Sequence, residues 1–315
     1  AARRVPLPSS SQALSVTSAA KTLAQPRQHY YATFKPQTPT TTTYARRTLP
    51  VAKASPPPTR AAAAASTPSD THTHPPRISY VTDVEGNLDF WDAFCDRADA
   101  ITTDGHGRRA LRPGAHLVFG GDSVDKGGRD LAFLESLLEL KQRHPHNVHL
   151  VLGNRDINKM RLSAELDPKQ WLAADNHPGV YWRQRGGPDG GPATPATYLA
   201  AQPTSAQCED TRAARLRYML ADNMGSPRAF ELRRAELALS RPAGARVDDD
   251  AVLASYVASL ERGGLMRRYL EQAQLAVLIS GNLFVHGAVR LSSMGVVPGA
   301  PSVEADARRW VDALN

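Results

Sequence analysis

Four short polar motifs carry the residue types in this chain best suited to metal chemistry. They are Asp83-Val84-Glu85-Gly86-Asn87, Gly121-Asp122-Ser123-Val124-Asp125-Lys126-Gly127, Gly153-Asn154-Arg155-Asp156 and Val285-His286-Gly287. Carboxylates, an amide oxygen and an imidazole are the ligand types of hard and borderline divalent metals. The glycines let the backbone turn sharply and leave room for a substrate. Each motif alone is also an ordinary turn after a strand, since Asp-Gly and Gly-Asn pairs are common turn elements. Their joint occurrence in this order is what separates them from turns.

Each motif follows an apolar run that must position it. Ile78-Ser79-Tyr80-Val81-Thr82 reads as a β-strand because β-branched and aromatic residues dominate it. His116 to Phe119 reads as a second, buried strand, and Asn147 to Leu152 as a third. Between them, Leu88 to Cys95 and Arg129 to Gln142 read as helices, the latter with Leu131, Leu134 and Leu138 on one stripe. Strand, helix, strand, helix, strand implies an α/β layer with crossover connections. Ligands gather at the carboxyl ends of strands in such sheets, which is where the motifs fall.

Residues 161–270 have a different character. They open with the loop-rich run Gly186-Gly187-Pro188-Asp189-Gly190-Gly191-Pro192 and then turn helical. Ser226-Pro227 reads as a helix start, with a capping hydroxyl and proline in the first turn. Asp248-Asp249-Asp250 reads as an acidic helix N-terminus rather than a metal site. Leu253, Tyr256, Val257 and Leu260 then share one face, and Gly263-Gly264 ends the helix. Strands return at Ala276–Ile279 and Leu283–Val285, with Gly281-Asn282 as the hairpin turn. A last amphipathic helix, Val303 to Leu314, places Val303, Ala307, Trp310 and Leu314 together.

The charge is unevenly spread. The chain has 315 residues and a formal charge of +7. Residues 1–69 contain nine Lys and Arg and no Asp or Glu, which leaves 29 basic against 31 acidic residues, a net −2, for 70–315. The folded part therefore lacks the basic surface of a nucleic-acid binder. Arg-rich, Ser-rich, acid-poor composition marks residues 1–75 as a disordered leader of transit-peptide type; a tail with no targeting role has the same composition. Its Ser, Thr and Pro content points to the chloroplast, with mitochondrion and cytoplasm as alternatives. His72 and His74 lie in this leader beside two prolines, where a metal site is not expected. No stretch of about 18 apolar residues occurs, so no membrane span is expected. Cys95 and Cys208 lie too far apart for a metal or disulfide spacing, and Cys95 reads as core.

The four motifs, in their order, resemble those of the calcineurin-like metallophosphoesterase superfamily, which reads D-x-H-G-N, G-D-x-x-D-R-G, G-N-H-D/E, H-G and finally G-H-x-H. The resemblance covers residues 83–287. It implies an α/β (α+β) fold over residues 76–315, a β-sandwich flanked by helices, here with the helical insertion at about 161–270. It implies two divalent metal ions. Asp83 and Glu85 would bind the first, Asp122 would bridge both, and Asn154 and His286 would bind the second. Asp125 would orient its neighbours, and Lys126 and Arg155 would contact the phosphoryl group. The implied reaction is hydrolysis of a phosphoester by water activated between the two ions.

Three departures qualify this. Glu85 stands in place of histidine, which among Mn, Fe, Mg and Zn favours the harder Mn or Mg. Arg155 stands in place of the histidine that protonates the leaving group. Arginine stays charged at any physiological pH and is a poor proton donor. No counterpart of the last motif occurs: His286 is the last histidine, and 29 residues follow it. Either that part of the site has degenerated or the chain stops before it. The uncapped end at Trp310–Asn315 favours the second, so the C-terminal part of the core is expected to be missing. The alternative function is a relative that binds metal or phosphate without catalysis, which Glu85 and Arg155 favour. A nuclease acting through a small site stays open.

Overall fold

The fold is described by a computed structural model over residues 76–180, 194–202, 209–242 and 244–315. The leader at 1–75, the Gly186–Pro192 run and Cys208 lie outside the described residues. Three parallel strands form the central sheet in the order β1 (Ile78–Val81), β4 (His116–Phe119), β5 (Val148–Leu150). Register pairs Ile78 with His116 and Leu117 with Val148. Helices α1 (Leu88–Arg97) and α2 (Asp130–Arg143) supply the crossovers. Asn87 caps α1 by accepting the Phe90 N–H at 3.1 Å.

The alternation of strand side chains divides the core. Val81, Leu117, Phe119, Val148 and Leu150 face the helices, where Trp91 and Cys95 of α1 and Phe133, Leu134, Leu137 and Leu138 of α2 cover them. Cys95 is buried as expected, and burial pushes its thiol up to about 12. The buried stripe of α2 is centred on Phe133 and Leu137, one position round from the expected one, and Leu131 is only half-buried. On the other face Ile78, Val118 and Val151 meet Val277, Ile279 and Phe284. These belong to a hairpin of β6 (Ala276–Ile279) and β7 (Asn282–Val285). Its turn is Ser280-Gly281, with Ile279 paired to Asn282, not Gly281-Asn282 as the sequence suggested. Both turn residues have positive φ, 49° and 79°, as a tight hairpin with right-handed strand twist requires.

The expected sandwich is thus reduced among the described residues to a three-stranded sheet faced by a two-stranded hairpin. A second hairpin, β2 (Ile101–Thr103) with β3 (Arg109–Leu111), was not anticipated. Its strands are three residues long and carry too few apolar positions for a period of two to show.

The insertion builds its own helical core. After α3 (Asn154–Lys159) come α4 (Leu162–Glu165), α5 (Pro195–Ala200), α6 (Arg212–Tyr218) running into a π-turn at Met219–Asn223, α7 (Ala229–Leu239), α8 (Asp249–Leu260) and α9 (Leu265–Gln272). Leu162, Leu216, Met219, Phe230, Val252 and Tyr256 pack together there. Asp248 caps α8 through the Ala251 N–H at 2.8 Å, and Asp249 pairs with Arg217 and Arg234. Although α9 falls inside the expected insertion, its Met266 and Tyr269 pack in the core on the helix face of the sheet. The helix expected from Ser226-Pro227 begins later, at Ala229, because Ser226 uses its hydroxyl elsewhere, as an acceptor for Arg155. The last helix, α10, spans Ala307–Leu314 with Asp306 as its cap. Trp310 and Val311 bury against Ala276. Val303, expected on this helix, precedes it and is exposed. No described helix is long and apolar enough to cross a membrane.

Candidate metal centre

The loops after β1, β4 and β5 are joined mainly through their backbones. Asp83 N–H donates to Gly121 O and Glu85 N–H to Asp122 O, each at 3.0 Å. The N–H groups of Lys126 and Gly127 donate to Glu85 O at 2.9 and 2.6 Å. Asp156, fully buried near the start of α3, ties the second and third loops. Its carboxylate accepts Gly153 N–H (2.8 Å), Asp122 N–H (3.0 Å), Ser123 N–H (2.9 Å) and the Ser123 hydroxyl (2.6 Å). Burial raises its pKa above the usual carboxylate range, against the pull of those hydrogen bonds. Gly121 and Gly153 make the approach possible. A Cβ on Gly121 would lie 2.6 Å from Gly153 N, and one on Gly153 would lie 2.3 Å from Asp122 N.

The backbone is strained where the carboxylates sit. Asp83 (φ 54°), Glu85 (50°), Asp122 (55°) and Asp125 (101°) take left-handed conformations, and among the described non-glycine residues Ser280 is the other one that does. Each such residue costs roughly 1–2 kcal/mol, a strain that marks functional sites.

These loops and the end of β7 bring Asp83, Asp122 and His286 together, with one ligand atom from each within 4.8 Å of the others. The group could hold a metal ion. His286 Nδ1 lies 2.9 Å from Gly120 O. A carbonyl can only accept, so Nδ1 carries a proton, and Nε2 is the nitrogen that could ligate a metal. That Nε2 faces Asn154 Oδ1 at 3.2 Å and Asp122 Oδ1 at 3.4 Å. A cation, a proton on Nε2 or a turn of the Asn154 amide that presents its NH2 would each reconcile these contacts. The donor set itself, two carboxylates, an imidazole and an amide oxygen, fits a divalent ion.

The other expected site residues are placed differently. Glu85, expected as a ligand, stands outside this group. Its Oε1 lies 2.7 Å from Lys126 Nζ and 2.8 Å from Arg155 Nε, the latter an ion pair off the line of the N–H. Arg155 is largely occupied: one terminal nitrogen donates to Met224 O at 2.7 Å and to the Ser226 hydroxyl, and Nε lies 3.4 Å from Asp122 Oδ2. Asp125 is buried and pairs with Lys159 Nζ at 2.5 Å. Its other oxygen is buried without a hydrogen bond. Lys126 is exposed beside a shallow pocket of about 300 Å³ lined by Asp83, Glu85, Asn87 and Phe90. A larger cavity of about 880 Å³, between α7 and the start of α8, contains none of the motif residues.

Two residues were missed. Asp156 lay inside a motif but had no role assigned, although a carboxylate three residues into a helix signals a turn back onto free N–H groups. Lys159 follows Arg155 by four residues, one helical turn, which places both on the same side of α3.

No protein-family profile matches the chain, and no curated protein does. Among solved structures, the chain is similar to a cold-active protein-tyrosine phosphatase of a psychrophile, Shewanella sp., at 14% identity and a TM-score of 0.34, over 70% of this chain and 44% of that one. A second structure of a cold-active protein tyrosine phosphatase gives 14% identity and 0.34 over 70% and 43%. The chain therefore spans less than half the length of these structures, and at that TM-score the likeness bears on neither fold nor activity.

Proposed function

We propose that this chain is a metal-dependent phosphoester hydrolase. The observation that carries the reading is the convergence of Asp83, Asp122 and His286, with Asn154 Oδ1 beside its Nε2. Those four residues would hold a divalent cation, which when bound supplies Lewis acidity toward a phosphoryl oxygen. Asp156 keeps Asp122 and the loop of Asn154 in register through their backbones. Lys126, exposed at the rim of the pocket, attracts the phosphate and offers donors to its oxygens. In the reaction the oxygen of water bonds to phosphorus and gives up a proton to solvent, and the leaving oxygen departs with the electron pair of the broken P–O bond. Among the described residues His286 is the imidazole brought to this group, where the reading makes it a ligand, and Arg155 beside it is a poor proton donor. Esters whose leaving group departs unaided, such as nitrophenyl phosphates, are therefore the preferred substrates.

The pairing of Glu85 with two cations favours a second reading, a protein that binds metal or phosphate without turnover. One assay separates them. The full chain is given nitrophenyl phosphate with Mn, beside an Asp122→Asn variant. The hydrolase reading expects turnover that falls at least ~100-fold in the variant, since even indirect support of a metal site is worth 10–100-fold. Equal rates in the two proteins would leave the non-catalytic reading.

A further inference from the structure

We infer that the centre holds one divalent cation rather than two, because the Arg155 guanidinium stands where a second ion would bind. The inference rests on the metal-centre reading above. Asp122 offers its two oxygens to different neighbours. Oδ1 is 3.4 Å from His286 Nε2, on the side of the triad, and Oδ2 is 3.4 Å from Arg155 Nε. The same Nε is 2.8 Å from Glu85 Oε1. The guanidinium thus sits between the two carboxylates that a second ion would have to bridge.

Arg155 is not free to leave. It cannot lose its charge by deprotonation. Its side chain is 11% exposed, and one terminal nitrogen is spent on Met224 O and Ser226, both in the insertion. Its backbone N–H donates to Asp122 Oδ1 at 3.0 Å, so main chain and side chain address the same carboxylate. Lys126 adds a second positive charge on Glu85 Oε1. The charges then partition cleanly. Asp83 and Asp122 balance one divalent ion, while Lys126 and Arg155 neutralise Glu85 and lend positive charge to the adjoining side of Asp122.

The test counts ions. The full chain is dialysed to equilibrium against Mn, the bound metal is measured, and the Mn is examined by electron paramagnetic resonance. One ion per chain with the spectrum of an isolated Mn is expected. Two ions, or an exchange-coupled pair, overturn the inference and leave the metal reading standing; no binding up to about 1 mM Mn overturns the metal reading itself. Glu85→Gln should keep its single ion with affinity changed by no more than about threefold. A loss of about tenfold or more would make Glu85 a ligand and overturn the inference. Arg155→Ala, checked for folding by circular dichroism, should admit a second ion, and a folded variant that stays at one would overturn the role given to the guanidinium. If it does not fold, Glu85→Gln decides.

Discussion

The loop from Gly121 to Asp130 is gripped from two sides by different physics. Toward the sheet, Asp156 collects the N–H groups of Asp122 and Ser123, so one carboxylate serves many neutral donors. Toward the insertion, charged pairs dominate. Arg233 meets Asp130 at 3.2 Å and Glu236 at 3.6 Å, while Lys159, at the end of α3, meets Asp125. The sheet-side grip needs no counter-ion, because partial charges on backbone N–H groups share the load. The insertion-side grip needs its partners to be present together, since a buried charge left alone is far worse than a pair. The first behaves as fixed framework and the second as an interlock that fails when one member is removed.

Removing Asp156 should have the largest effect. Asp156→Ala leaves the buried N–H groups of Gly153, Asp122 and Ser123 without their acceptor, and should destabilise the fold by about 4 kcal/mol in urea titration. Hydrogen exchange should rise first at 121–123 and 153–157. A loss close to zero would mean that water takes over these donors and that the sheet-side grip is weak. Arg233→Ala comes next. It strands Asp130 and Glu236 and should destabilise by about 3 kcal/mol, with exchange rising first in α7. Equal protection in α7 before and after would remove the distinction between the two sides.

The smallest effect is one of pH. Burial, opposed by Arg233, raises the Asp130 carboxyl to about 6. A carboxyl whose folded value lies above its unfolded value contributes stability that is complete below the unfolded value and is lost as pH rises through the folded one. Raising the pH from 4 to 7 should therefore lower the stability of the natural chain by ~2 kcal/mol relative to Asp130→Asn. Two parallel profiles would show that Arg233 compensates the charge fully. Asp156 is shifted in the same direction, so the comparison must be made against the Asn variant rather than on the natural chain alone.

The same division explains what could be read from the sequence. The strands β1, β4 and β5 were legible because each is a continuous apolar run, and each of the first three motifs follows directly on one. His286 was legible for the same reason after β7. The insertion-side pairs were not, because Asp130 and Arg233 lie 103 residues apart and neither has a local pattern that names the other. The partners of Arg155 were hidden in a related way. Its type was noted, but its engagement with Met224 and Ser226 depends on how an insertion 70 or so residues later folds back. Ser226 carries the converse lesson: a serine before a proline has the form of a helix cap, and a buried guanidinium outcompeted that use.

The left-handed backbone at Asp83, Glu85 and Asp122 has a consequence for how such a sequence persists. Asparagine and glycine occupy that conformation with less strain than an acidic residue does. Exchanging these carboxylates for them would also remove like charges held close together. Against that gain stands the loss of partners for Arg155, which faces both Glu85 and Asp122 and is largely buried. On the metal reading proposed above, the strain of acidic side chains at three such positions, in loops that meet at one point, would serve the ion rather than the fold.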